Sequence, residues 1–92
     1  MKINHVQGKN KGKIMIYALS TCGWCKKTKA FLKENNIAFD CIDVDLLDNE
    51  ERDKVVAEIK KWNPRVSFPT IVINDDKCIA GFDEDKLNEL VK

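Results

Sequence analysis

A chain of 92 residues has room for one small domain and no second core. Hydrophobic residues at 43% and charged residues at 34% suit a soluble globular domain and exclude wholesale disorder. A net charge of +1 leaves no strong field to recruit nucleic acid or an anionic membrane, and the longest apolar run, the six residues from Ile14 to Leu19, falls far short of the roughly 20 that span a bilayer.

Residues 1–13 are polar and carry Lys2, Lys9, Lys11 and Lys13 without the apolar stretch of a signal peptide, so a cytoplasmic location is the expectation. Lys2 to Val6 reads as a short extra strand and Gln7 to Gly12 as a turn. The run Ile14 to Leu19 reads as a strand buried on both faces. Thr21 then caps a predicted helix from about Cys22 to Asn35, with Phe31 and Leu32 inward and Lys26, Lys27, Lys29 and Lys33 outward. Ile37 to Val44 alternates imperfectly and reads as a second strand.

Asp48 or Asn49 can cap a helix over about Glu50 to Trp62, whose Val55, Ile59 and Trp62 form one apolar stripe and which Asn63-Pro64 ends. The acids between Asp43 and Asp53 lack the spacing of a calcium loop and read as a solvated surface. Thr70 to Ile73 and Lys77 to Ala80 form a predicted hairpin about the turn Asn74-Asp75-Asp76. Gly81 breaks the chain, and Asp83 caps a last helix with Leu87, Leu90 and Val91 inward. The order is β-α-β-α-β-β-α. The first two strands should be parallel, the last two antiparallel, and helices should cover both faces of the mixed sheet.

Chemistry concentrates in Cys22-Gly23-Trp24-Cys25, a C-x-x-C where a strand ends and a helix begins. The unpaired N–H groups and dipole of a helix start favour an anion, and so a nucleophilic thiolate. Lys26 and Lys27 add positive charge. Cys22, at the mouth of the turn, is expected to attack a substrate disulfide; Cys25, one turn on and more buried, resolves the mixed disulfide. A zinc site would need a second close ligand pair, but Cys41 and Cys78 are 37 residues apart and His5 is the only histidine. No metal site is expected, and Cys41 and Cys78 read as small core hydrophobes.

Three blocks, in this order, resemble the glutaredoxin family: Tyr17-Ala18-Leu19-Ser20-Thr21-Cys22-Gly23-Trp24-Cys25, Ser67-Phe68-Pro69-Thr70 and Ala80-Gly81-Phe82-Asp83. The resemblance covers about Lys13 to Lys92. It implies an α/β thioredoxin fold: a four-stranded mixed sheet of order 2-1-3-4 flanked by three helices, as a domain over 13–92 behind a 1–12 extension. It also implies a cis Pro69 against Cys22 and Cys25, and a substrate-binding surface that draws on Tyr17, Thr21, Trp24, Phe68, Gly81, Phe82 and Asp83.

Many glutaredoxins place a lysine for the glutathione carboxylate where this chain has Leu19; Arg65, Lys26 or Lys61 are candidate replacements. Gly81-Phe82 resembles the redoxins that serve ribonucleotide reductase and take electrons from thioredoxin reductase. Thioredoxin itself fits poorly, since Gly23-Trp24 lacks its proline and Ile16 stands in place of its buried aspartate. The expectation is therefore a monomeric dithiol-disulfide oxidoreductase with no covalently bound cofactor. Its partners are disulfide-containing proteins, and its reductant is a reductase or, as a co-substrate, glutathione. The alternative is a glutathione-dependent iron–sulfur cluster carrier, since Gly23 in place of proline is similar to glutaredoxins that hold a cluster between two subunits.

Overall fold

The computed structural model describes residues 3–91. The chain runs β1 (Asn4–Val6), β2 (Ile14–Ala18), α1 (Gly23–Glu34), β3 (Phe39–Asp43), a 3-10 turn (Val44–Leu46), α2 (Asn49–Trp62), β4 (Thr70–Ile73), β5 (Lys77–Ala80) and α3 (Glu84–Val91). One five-stranded sheet has the order β1-β3-β2-β4-β5. β2 and β3 are parallel across α1, whereas β2–β4 and β4–β5 are antiparallel. Leaving out β1, this is the expected 2-1-3-4 order on a mixed α/β thioredoxin-like fold.

The strand period of two sorts side chains between two cores. From β2, Ile14, Ile16 and Ala18 enter a cluster with Phe39, Cys41, Ile71 and Ile73 that α1 covers through Cys25 and Leu32 and α3 through Leu87. Met15 and Tyr17 point the other way, toward Ile42, Val44, Leu47 and the α2 residues Val55 and Ile59. All four residues of β4 are buried, as expected of an interior strand covered on both faces.

The short N-terminal strand exists, over Asn4–Val6, antiparallel to β3; Lys2 of the expected strand lies outside the described residues. After it, Lys9 N–H donates to Asn36 O at 2.7 Å and Lys9 O accepts from Ala38 N at 3.0 Å. Gly8 permits this approach, because a Cβ there would stand 2.7 Å from Ala38 N and 2.8 Å from Asn36 O.

Several boundaries move. The second strand is shorter than Ile37 to Val44: Ile37 makes only an isolated bridge to Lys9, and Val44 begins the 3-10 turn. The cap of α2 is Asp48, whose Oδ1 accepts from Glu51 N at 2.8 Å. Lys29 does not face open solvent. It is half-buried and pairs with Asp43 at 3.2 Å, a contact between α1 and the end of β3.

Candidate active site

The cap of α1 is Cys22 itself, not Thr21. Cys22 has extended backbone angles, φ −82° and ψ 117°. Its carbonyl already accepts the first helical hydrogen bond, from Lys26 N at 3.1 Å. A residue in that half-helical position supplies the cap, and here the capping acceptor is sulfur: Cys25 N–H donates to Cys22 Sγ at 3.1 Å. Thr21 is exposed in the preceding turn, which Cys22 N closes on Leu19 O at 3.2 Å.

The two thiols differ in environment. Cys22 is half-buried, while Cys25 has no exposed surface and belongs to the α1-side core. Burial pushes the Cys25 thiol up to about 12, with its hydrogen bond to Cys22 acting in the same direction; a hydrogen bond to the Leu19 backbone and, less, the Lys29 charge offset them only in part. Cys25 is therefore a neutral thiol at pH 7 in the reduced protein. Cys41 is a buried free thiol and Cys78 a half-buried one, and burial raises both.

Opposite the cysteines stands the segment before β4. The Phe68–Pro69 peptide is cis and Pro69 is buried. Phe68 O lies 3.9 Å from Cys22 Sγ, within reach of a weak S–H donor. Pro69 O accepts from Gly81 N at 2.7 Å, which brings in the third block. Gly81 has φ +83°, a left-handed angle that favours glycine. Phe82 then stacks on Trp24 with centroids 5.8 Å apart, and Lys27 Nζ lies 4.6 Å from the Trp24 ring centre. Trp24 remains 57% exposed at the rim.

The three sequence blocks thus meet at Cys22, and their members have different surroundings. Tyr17 lies on the α2 side of the sheet, where burial raises its phenol. Asp83 caps α3, its Oδ1 accepting from Lys86 N at 3.2 Å. Leu19 packs against the α2 core and carries no charge to the site. Of the suggested replacement cations, Lys26 and Arg65 are exposed, and Lys61 pairs with Glu58 at 3.2 Å.

Asn63, whose place before Pro64 marks it in sequence only as a helix stop, has a further part in the structure. Its side chain turns inward and is 6% exposed. Nδ2 donates to Ser67 Oγ at 2.9 Å and Thr70 Oγ1 at 3.1 Å, while Oδ1 accepts from Arg65 N at 3.3 Å. Thr70 Oγ1 donates on to Ser67 O at 2.7 Å. This buried network ties down both ends of the loop that presents Pro69. Within it, Val66 is held at φ +50°, a left-handed conformation costly for a β-branched residue. An asparagine before proline signals a turn in sequence, but not an inward amide.

The glutaredoxin family model matches residues 14–79. A glutaredoxin-like 8.6 kDa protein of a rubredoxin operon in Clostridium pasteurianum is 38% identical over 80 residues, covering 86% of this chain and 97% of that protein. The crystal structure of a glutaredoxin from Methanosarcina mazei superposes with a TM-score of 0.90 at 46% identity, over 99% of this chain and 88% of the other. A methanoredoxin from Methanosarcina acetivorans gives 0.87 at 45% identity, over 91% and 88%.

Replacing Asn63 by Ala takes a donor away from the buried Thr70 hydroxyl and from the exposed Ser67 hydroxyl, and should lower unfolding stability by about 1–3 kcal/mol in a urea titration. Cys25 gives a pH signature. Its thiol is raised from 9.0 to about 12 on folding, so the unfolded chain releases this proton first and stability should fall as pH rises through the window from 9.0 to about 12. Serine does not titrate there. The stability difference between the reduced wild type and Cys25→Ser, followed by urea unfolding from pH 7 upward, should therefore shrink across that window.

Proposed function

The chain belongs to the glutaredoxin family, and we propose that it is a dithiol-disulfide oxidoreductase in which Cys22 is the nucleophile and Cys25 the resolving thiol. The observation that carries this reading is the asymmetry of the pair: a half-buried sulfur at the cap of α1, and a fully buried neutral thiol one turn on. The Cys22 thiolate attacks a substrate disulfide. A Cys22–substrate bond forms, the substrate S–S bond breaks, and the departing thiolate takes a proton from water. Cys25 then loses its proton and attacks Cys22 Sγ, forming the Cys22–Cys25 disulfide and releasing the second substrate thiol. Two electrons have passed to the substrate, and an external reductant must return them.

Pro69 lacks an N–H, which leaves neighbouring backbone groups free for an extended substrate segment beside Cys22. Trp24, stacked on Phe82, offers an aromatic rim for the same segment. Thr21, Gly81 and Asp83 complete the rim on this reading. The chain works as a monomer in the cytoplasm, fed by a reductase of the thioredoxin-reductase type with glutathione as a weaker donor. The support for that order of reductants is Leu19, an apolar side chain packed on the α2 core where the family places a cation for the glutathione carboxylate.

Cys22→Ser should abolish reduction of a protein disulfide such as insulin, while Cys25→Ser should accumulate mixed disulfides visible by mass under non-reducing conditions. Preferential alkylation of Cys25 over Cys22 in the native reduced protein would reverse the assignment. For the reductant, Leu19→Lys should raise the rate with glutathione and its reductase and leave reduction by dithiothreitol unchanged. The gain should be of the order of one to two decades in binding, the worth of a charge-assisted hydrogen bond of about 1.5–3 kcal/mol. A wild-type chain already as fast on glutathione as an ordinary dithiol glutaredoxin would make glutathione the primary donor.

A further inference from the structure

We propose that Asp45 is a positioning residue for the nucleophile: it clamps Ser20 and so sets where Cys22 stands at the cap of α1. The proposal deepens the assignment of Cys22 above and rests on it. Asp45 lies in the 3-10 turn after β3, far from Cys22 in sequence, yet its carboxylate takes both polar groups of Ser20. Oδ1 accepts from Ser20 N at 2.8 Å and Oδ2 accepts from the Ser20 hydroxyl at 2.5 Å. Ser20 belongs to the turn that Cys22 N closes on Leu19 O, so the clamp acts two residues before the nucleophile.

The far side of the clamp is itself fixed. Val44, which begins the turn, and Leu47, which follows it, are buried in the α2 core. Arg52 Nη2 donates to Leu47 O at 2.9 Å and to Asp45 O at 3.3 Å, fastening the turn to α2. The line of support therefore runs from α2 through Arg52 and Asp45 to Ser20 and Cys22. The Ser20 hydrogen bonds, hydroxyl first and backbone second, hold the Asp45 carboxyl below the usual range, so it is ionised at neutral pH.

An alternative role would be purely electrostatic, and it has the opposite sign. A carboxylate near a thiolate repels it, so charge alone would make Asp45 a brake whose removal speeds Cys22. A positioning clamp makes its removal slow Cys22, because the sulfur strays from the N–H of Cys25 and from its approach to Phe68. A third possibility, a staple that only stabilises the loop, leaves Cys22 reactivity unchanged.

The test is alkylation of the full reduced chain by iodoacetamide at pH 7, with the Cys22 peptide quantified by mass spectrometry against time. Asp45→Ala should slow Cys22 about three- to tenfold, the size of one ordinary solvent-exposed hydrogen bond expressed as a rate. Ser20→Ala, which keeps the backbone bond, should lose less. Asp45→Asn should react at least as fast as wild type, since its amide oxygen accepts from Ser20 N, its NH2 donates to the hydroxyl, and the repelling charge is gone. A faster or unchanged Asp45→Ala, or an Asp45→Asn as slow as Ala, overturns the proposal. Hydrogen exchange of the β2 and β4 amides checks that the fold survives, and if Asp45→Ala loosens it, Ser20→Ala and Asp45→Asn decide. Because alkylation reads Cys22 directly, a chain inactive on protein disulfides would defeat the functional assignment without touching this one.

Discussion

The hydrogen bond from Cys25 N–H to Cys22 Sγ is the contact on which the rest of the site depends. A helix start leaves backbone N–H groups without partners, and an oxygen of serine, threonine, asparagine or aspartate usually takes one. Here a sulfur takes it. One bond thereby ends the turn after β2, begins α1, and points the reactive atom at the exposed end of the helix. The same geometry sends Cys25 inward, since a residue three positions into the helix falls on the face that also carries Thr28 and Leu32. The chemical difference between the two thiols follows from a single helix register.

The opposing wall is built on a different principle. The loop from Asn63 to Thr70 has no regular ladder to satisfy its backbone and side chains, and a buried asparagine does so instead. Buried polar networks of this kind are costly when incomplete and rigid when satisfied. That rigidity keeps Val66 in a left-handed conformation and sets the Phe68 carbonyl over Cys22. The Gly81 N–H on Pro69 O then fastens the third segment to the second, and the Trp24–Phe82 stack joins the third to the first. Each pair among the three blocks is thus linked by at least one named contact.

The sheet supplies the frame for both walls. β2 and β4 lie side by side at its centre, so the turn after β2 and the loop before β4 emerge at the same end. The β2 residues divide between two cores of opposite sense, which prevents the sheet from shifting register without exposing Ile14, Ile16 and Ala18.

Sequence pattern by itself determined the element order, the parallel and antiparallel pairings, the placement of Cys22 and Cys25 at a helix start, and the burial of Val55 and Ile59 on α2, though not of Trp62, which lies outside that core. These depend on periodicity, caps and turn residues, which act over a few neighbouring positions and leave their mark in the string. Tertiary structure decided the rest. It made Cys22 instead of Thr21 the cap, because the backbone angles there answer to the packing of Cys25 beneath. It turned Tyr17 toward the α2 core and half-buried Lys29 against Asp43. It also drew Asn63 and Asp45 into service for a site to which neither is adjacent in sequence. Asparagine and aspartate are common in turns for local reasons, so only the meeting of segments distant in the chain, each with donors left to satisfy, gives these two a further part to play.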